Sequence, residues 1–91
     1  MTRIKVRILI WDEYNLEHIK KHGIEIEEVI ETGENLVYHR RTYKDRFLAV
    51  GRSGKRIITL ILSRKDMGKY YLVTARDSDK KERKKLYEKE S

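Results

Sequence analysis

The stretch Arg46-Phe47-Leu48-Ala49-Val50-Gly51-Arg52-Ser53-Gly54-Lys55-Arg56-Ile57-Ile58-Thr59-Leu60-Ile61-Leu62 decides the fold. Phe47 to Val50 is a compact apolar run, Ser53-Gly54-Lys55 is a turn signal, and Ile57 to Leu62 is a longer run rich in isoleucine. Apolar, β-branched runs joined by a short Gly-containing turn read as two antiparallel strands. The same grammar continues downstream: Asp66-Met67-Gly68 is another turn, and Tyr70 to Ala75 is the last strand of a meander. Upstream, Leu36 to Tyr43 is a more polar strand, expected at an edge or as an early member of that meander.

Working outward, the N-terminal residues Ile4, Val6, Ile8 and Ile10 alternate with Arg3, Lys5, Arg7 and Leu9, which predicts a strand with one buried face. The period then changes. Asp12 is a good N-cap, Trp11 before it is placed to staple onto Leu16, and Leu16 and Ile19 mark the buried side of a first helix. That helix ends in Lys20, Lys21 and His22, with Gly23 as the expected C′ residue. A second helix is predicted from about Glu25 to Glu31, with Ile26, Val29 and Ile30 inward and Gly33 ending it. A third starts near Asp79, with Glu82 as its capping-box partner, and runs to about Lys89. Its apolar content is only Leu86 and Tyr87, so it packs lightly or needs a partner. The expected fold class is α+β: two N-terminal helices and a C-terminal helix on a mainly antiparallel sheet of about five strands, in the order β-α-α-β-β-β-β-α. Ninety-one residues fit a single domain over 1–91.

Composition excludes several classes of function. There is no cysteine, which removes disulfides and thiolate metal sites. The start of the chain alternates charge with apolar residues and has no signal-peptide pattern, and no stretch reaches the roughly 20 apolar residues of a membrane span. A cytoplasmic protein without membrane association is expected. The formal net charge is +7, unevenly spread. Residues 1–36 hold five basic and eight acidic side chains, whereas residues 37–91 hold seventeen basic and seven acidic. Segregation of this kind points to an acidic partner for the second part, most simply nucleic acid. A Lys/Glu-rich surface that serves only solubility is the plainer alternative, but it does not account for the segregation.

No metal motif stands out. His18 and His22 are four apart on one helix, but Ile19, Lys20 and Lys21 lie between them, with no glutamate to act as general base. Gly51-Arg52-Ser53-Gly54-Lys55 is not a P-loop, because it leads into a hairpin turn and opens no helix; its glycines read as turn residues. Arginines stand at strand ends: Arg46, Arg52, Arg56, Arg64 and Arg76, with Arg83 following on the last helix. Guanidinium donates in a planar fork and stays charged, which suits a phosphate gaining negative charge in a transition state. Metal-free RNA cleavage uses the neighbouring 2′-hydroxyl as nucleophile and needs a base, an acid and such cations. His22, His39, Tyr87, Glu82 and the lysines are available for proton transfer. Each arginine also has the plainer reading of a surface charge or an ion-pair partner. Alternation puts Tyr70, Leu72 and Thr74 on the face of Arg76, and Tyr71, Val73 and Ala75 on the other, leaving open whether Arg76 meets a partly polar or a mixed surface.

Three blocks in order carry a resemblance. Trp11-Asp12, Asn15, His22-Gly23-Ile24 and then Glu27-Glu28-Val29 form the first. Arg46-Phe47-Leu48-Ala49-Val50-Gly51-Arg52-Ser53 is the second, and Thr74-Ala75-Arg76, Glu82-Arg83 and Tyr87 the third. Together they resemble the BrnT toxins, from about Ile8 to Tyr87. The region Glu34 to Lys44 departs from that family in being shorter and more basic than its acidic, proline-containing loop. The resemblance implies a RelE-like microbial ribonuclease fold and the toxin half of a type II toxin–antitoxin pair. It implies an endoribonuclease that cleaves mRNA without a metal or other cofactor. It also implies a BrnA-like ribbon-helix-helix antitoxin as partner, in a heterotetramer that reaches operator DNA only through the antitoxin. By the same carry-over, Arg52 and Arg76 are the leading catalytic candidates, followed by His22, Glu82, Arg83 and Tyr87. Arg46, Arg56, Arg64, Lys65, Lys80, Lys81 and Lys84 are expected to grip RNA. The alternative from the residues themselves is a non-catalytic module that binds nucleic acid or a partner protein through the same basic surface.

Overall fold

The computed structural model describes residues 4–91, so Arg3 of the expected first strand lies outside them. The elements are β1 (Ile8–Ile10), α1 (Glu13–Lys21), α2 (Ile26–Glu34), β2 (Leu36–Arg41), β3 (Arg46–Ser53), β4 (Arg56–Asp66), β5 (Lys69–Asp77) and α3 (Lys80–Glu90). This is the expected order and the expected α+β class. The five strands form one sheet in the order β1-β5-β4-β3-β2; β1 runs parallel to β5 and every other pair is antiparallel. The polar strand β2 lies at an edge and opens the meander, so the two places open to it coincide. Among the described residues no helix is long and apolar enough to cross a membrane.

The central strand explains the opening stretch. Ile58, Leu60 and Leu62 of β4 join one apolar cluster, with Ile19, Val29 and Leu72 among its members. Ile57 and Ile61 join a second, with Leu48, Val50 and Leu86 of α3. A strand buried on both faces reads as an unbroken apolar run. Helices α1 and α2 therefore cover one side of the sheet, and α3 covers part of the other.

Two β-bulges decide which side chain meets which layer. On β2, Leu36 pairs with Gly51 and Tyr38 with Val50, leaving Val37 as the extra residue. Leu36 consequently packs in the first cluster and Tyr38 in the second, although simple alternation would put them together. On β5, Thr74 pairs with Ile61 and Leu72 with Leu62, so Val73 is extra. Ala75 then joins Tyr70 and Leu72 in the first cluster. Arg76 pairs with Thr59 and turns to the α3 side. The expectation that Arg76 shares a face with Tyr70 and Leu72 is thereby corrected: the bulge shifts the parity of everything after Val73.

Asn15 holds that bulge. Its side-chain amide donates to the Val73 carbonyl at 3.2 Å, beyond the point where β1 stops pairing with β5. Asp12 and Asn15 also form the capping box of α1, with Asn15 N–H donating to Asp12 Oδ1 at 2.8 Å. The Tyr71 hydroxyl shares its proton between Asn15 Oδ1 at 2.6 Å and Asp12 Oδ2 at 2.9 Å. The buried Asn15 therefore ties the first turn of α1 to β5.

Other expectations need correction. The N-terminal strand is short: Arg7 and Ile8 N–H both donate to the Gly68 carbonyl, and only Ile8–Ile10 pair with β5. Ile4 and Val6 pack on the first cluster, but Ile8 is 55% exposed and Leu9 takes the inward place. The alternation breaks where the chain enters the sheet edge. Helix α2 runs through Gly33 to Glu34 and is capped by Asn35, so Gly33 does not end it, and Ile30 is exposed. Gly54 sits in the β3–β4 turn with φ +60°, as read. Gly51 does not belong to that turn. It lies within β3, where a Cβ would come within 2.5 Å of the Asn35 carbonyl oxygen and 2.9 Å of that of Thr32. Its lack of a side chain lets β3 pass under the C-terminal end of α2.

Candidate functional site

The α3 side of the sheet gathers most of the candidate catalytic residues into two clusters. Asp79 caps α3 and accepts from Glu82 N–H at 2.8 Å, while Glu82 Oε1 accepts from Asp79 N–H at 2.9 Å. This capping box turns the Glu82 carboxylate back onto the sheet. There it meets Arg76 in a two-point pair, Nη1 to Oε1 at 2.7 Å and Nη2 to Oε2 at 2.9 Å. Thr59 Oγ1 donates to the same Oε1 at 2.9 Å and lies 2.6 Å from Ser78 Oγ. Tyr38 donates its hydroxyl to the Glu82 carbonyl at 3.2 Å. Arg83 belongs to this cluster through Nη1, which donates to the Ser78 carbonyl. Burial alone would raise the Glu82 carboxyl, but Arg76, the Asp79 N–H and Thr59 outweigh it and hold the group below its ordinary value. Burial, then the Glu82 charge, push the Tyr38 phenol up. Glu82 is therefore a fixed carboxylate whose lone pairs are engaged.

The second cluster lies at the other end of α3. Arg52 Nε and Nη2 donate to the two oxygens of Glu90, each at 2.8 Å, and the guanidinium stands 5.8 Å from the centre of the Tyr87 ring. Glu82 and Glu90 are eight residues apart, about 12 Å along the helix axis. Arg52 and Arg76 thus share a side of the sheet but hold separate partners. Helix α3 lies on that side and places a carboxylate on each arginine.

Other candidates lie elsewhere. His22 is the exposed C-cap of α1, edge-on to His18 with ring centroids 5.1 Å apart, and among the described residues no hydrogen bond or ion pair links it to Arg76 or Glu82. Arg56 is a three-way clamp: Nε and Nη2 donate to Asp77 at 2.7 and 3.0 Å, and Nη1 reaches Glu28 Oε2 and the Gly23 carbonyl, each at 2.9 Å. It joins the start of β4 to the end of β5 and to α2. Arg46, Arg64 and Lys65 sit at the opposite end of the sheet, all exposed. Lys80, Lys81 and Lys84 line the exposed surface of α3. Among the described residues no group of three or more His, Cys, Asp or Glu side chains is placed to hold a metal ion.

Sequence reasoning missed Thr59, Ser78, Tyr38 and Glu90. Thr59 carried a signal, being the one polar residue in the apolar run from Ile57 to Leu62. Tyr38 was hidden by the bulge, and Glu90 pairs with a residue 38 positions away, which no local pattern encodes.

No protein-family model matches this sequence, and no curated protein matches it significantly. Among solved structures, the chain is similar to the ribonuclease toxin BrnT of Brucella abortus, known from a crystal structure at 1.1 Å resolution. The two share 23% identity with a TM-score of 0.60, over 80% of this chain and 99% of that one. The likeness establishes a shared fold.

Proposed function

We propose that this protein is the toxin of a type II toxin–antitoxin pair and an endoribonuclease that cleaves mRNA without a metal. One observation carries the reading: a fold shared with a ribonuclease toxin over four-fifths of the chain. The arrangement of Arg52, Arg76 and Tyr87 beside α3 supports it. In this mechanism the 2′-oxygen of a ribose attacks the adjacent phosphorus and the bond to the 5′-oxygen breaks. The products are a 2′,3′-cyclic phosphate and a 5′-hydroxyl. Arg52 and Arg76 stabilise the pentavalent phosphorane, and the protons move between the two oxygens and groups of this surface. Lys80, Lys81 and Lys84 supply a sequence-independent grip on the phosphates. The partner is a ribbon-helix-helix antitoxin of the BrnA kind, in a heterotetramer, for which the lightly packed α3 offers a docking element. The site of action is the cytoplasm, where mRNA is found.

The test is purified protein, with and without EDTA, on a defined RNA. Cleavage that survives EDTA and is lost in Arg76→Ala supports the reading. Absence of cleavage by folded protein, both free and supplied with ribosomes, overturns it. A second reading, a non-catalytic binder of nucleic acid or of a partner protein, is favoured by one observation: both leading arginines are already neutralised by carboxylates. It predicts RNA binding that weakens steeply with salt, and no turnover.

A further inference from the structure

The four ion pairs of the described residues involve only Arg52, Arg56 and Arg76. All three sit where β3 ends, β4 begins and β5 ends. At the opposite end of the sheet Arg41, Arg46 and Arg64 take part in no ion pair among the described residues. This end also carries rings. Phe47 packs edge-on between His39 and Tyr70, with centroid distances of 6.1 and 6.3 Å. The Arg41 guanidinium stands 5.8 Å from the centre of the Phe47 ring.

Register places these groups together on the α1/α2 side, beyond the cover of the helices. Arg41 pairs with Phe47, His39 with Ala49, and Arg64 with Tyr70. Two depressions adjoin here, of about 340 and 300 Å³, and both are lined by Phe47, Arg64 and Met67. The first is completed by His39 and Tyr70 with Lys5 and Arg7, the second by Arg41 and Lys65 together with Asp45 and Asp66. Met67 forms an open apolar rim, 84% exposed. Two acids share the second depression: Asp45 accepts from Ser63 Oγ and Asp66 from Met67 N–H.

We propose that this groove is a binding site for single-stranded RNA, taking a base against Phe47 and the flanking phosphates on Arg41 and Arg64. Aromatic platforms bordered by guanidinium groups are what unpaired bases stack on, and the cations track the backbone. A concave site of this size admits a splayed nucleotide and not the cylinder of a duplex. Burial lowers the pKa of His39, which favours the neutral form of the ring bordering Phe47. The site is distinct from the clusters on the α3 side, so a strand engaged at both would wrap the sheet edge. The proposal rests on the RNA-directed reading above but is tested by binding alone.

The experiment is fluorescence anisotropy on the full chain with a labelled, 2′-O-methylated single-stranded oligonucleotide, which cannot be cleaved. The double variant Arg41→Ala/Arg64→Ala changes only exposed side chains. It is expected to weaken binding about tenfold or more and to flatten the slope of log affinity against log salt by roughly 1.4, the single-strand value for two phosphate contacts. Phe47→Leu keeps an apolar side chain against Tyr70 but removes the ring, and is expected to weaken binding about fivefold or more with the salt slope retained. Wild-type affinity in the double variant overturns the proposal, even if the protein cleaves RNA. Equal competition by duplex RNA or duplex DNA overturns it too, as does loss of binding to a partner protein with oligonucleotide affinity unchanged. Loss of binding in the double variant by a protein that cleaves nothing supports the groove and leaves only the catalytic reading to fall.

Discussion

Arg76 and Glu82 meet in a two-point ion pair, 2.7 and 2.9 Å, in which the carboxylate is buried and the guanidinium side chain is 38% exposed. The pair joins the end of β5 to the first turn of α3 and also fixes the orientation of Arg76. Charge-assisted, bidentate contacts of this kind are the stronger class of hydrogen bond. A phosphate at Arg76 must either share the guanidinium with Glu82 or displace it.

Glu82→Gln is expected to lower stability by about 1–3 kcal/mol, since it removes a charge-assisted pair and weakens a cap, while the partial exposure of Arg76 limits the loss. The check is urea denaturation: the midpoint falls and the m-value stays constant. Arg76→Ala should destabilise as well, because it leaves a buried carboxylate without its main partner.

Asn15→Ala is expected to cost about 1–3 kcal/mol, because the Val73 carbonyl loses its side-chain donor and α1 loses its capping box. Amide hydrogen exchange should show faster opening at the bulge in β5 and in the first turn of α1. A wild-type exchange pattern at both places would sink this role for Asn15.

Gly51→Ala is expected to destabilise by about 1–3 kcal/mol through overpacking, since the new methyl meets two backbone carbonyls that cannot rotate away. Gly54→Ala meets no neighbour within 4 Å and pays only for its left-handed backbone, about 1 kcal/mol. Thermal melts of the two variants side by side should rank Gly51→Ala as the more damaging.

The acid side of the stability curve should depend on Arg56. Arg56 holds the Asp77 carboxyl below its ordinary value; Glu28 is lowered first by the Glu25 N–H and then by Arg56. A carboxylate depressed in the folded state binds fewer protons there than in the unfolded chain. Its stabilisation is therefore complete above the ordinary carboxylate range, roughly pH 5, and is lost as pH falls through the folded value. Arg56→Gln should be less stable near neutrality and should show a shallower decline of stability between about pH 5 and 3. Melting temperatures across that range provide the measurement.

The amino-acid sequence determined the element order, the antiparallel meander and the caps of α1 and α3. These follow from short-range rules: turn residues, apolar period and capping side chains act within a few residues. The sequence also exposed the arginines at strand ends and the cationic face of α3. Only the tertiary structure decided what those arginines face. A single extra residue, Val73, reverses parity along the rest of β5 and sends Arg76 toward α3. Glu90 and Glu82 then neutralise Arg52 and Arg76, while Arg41 and Arg64 stay open beside Phe47. Parity after a bulge and pairing between distant charges depend on packing across the whole sheet, so no local pattern carries them.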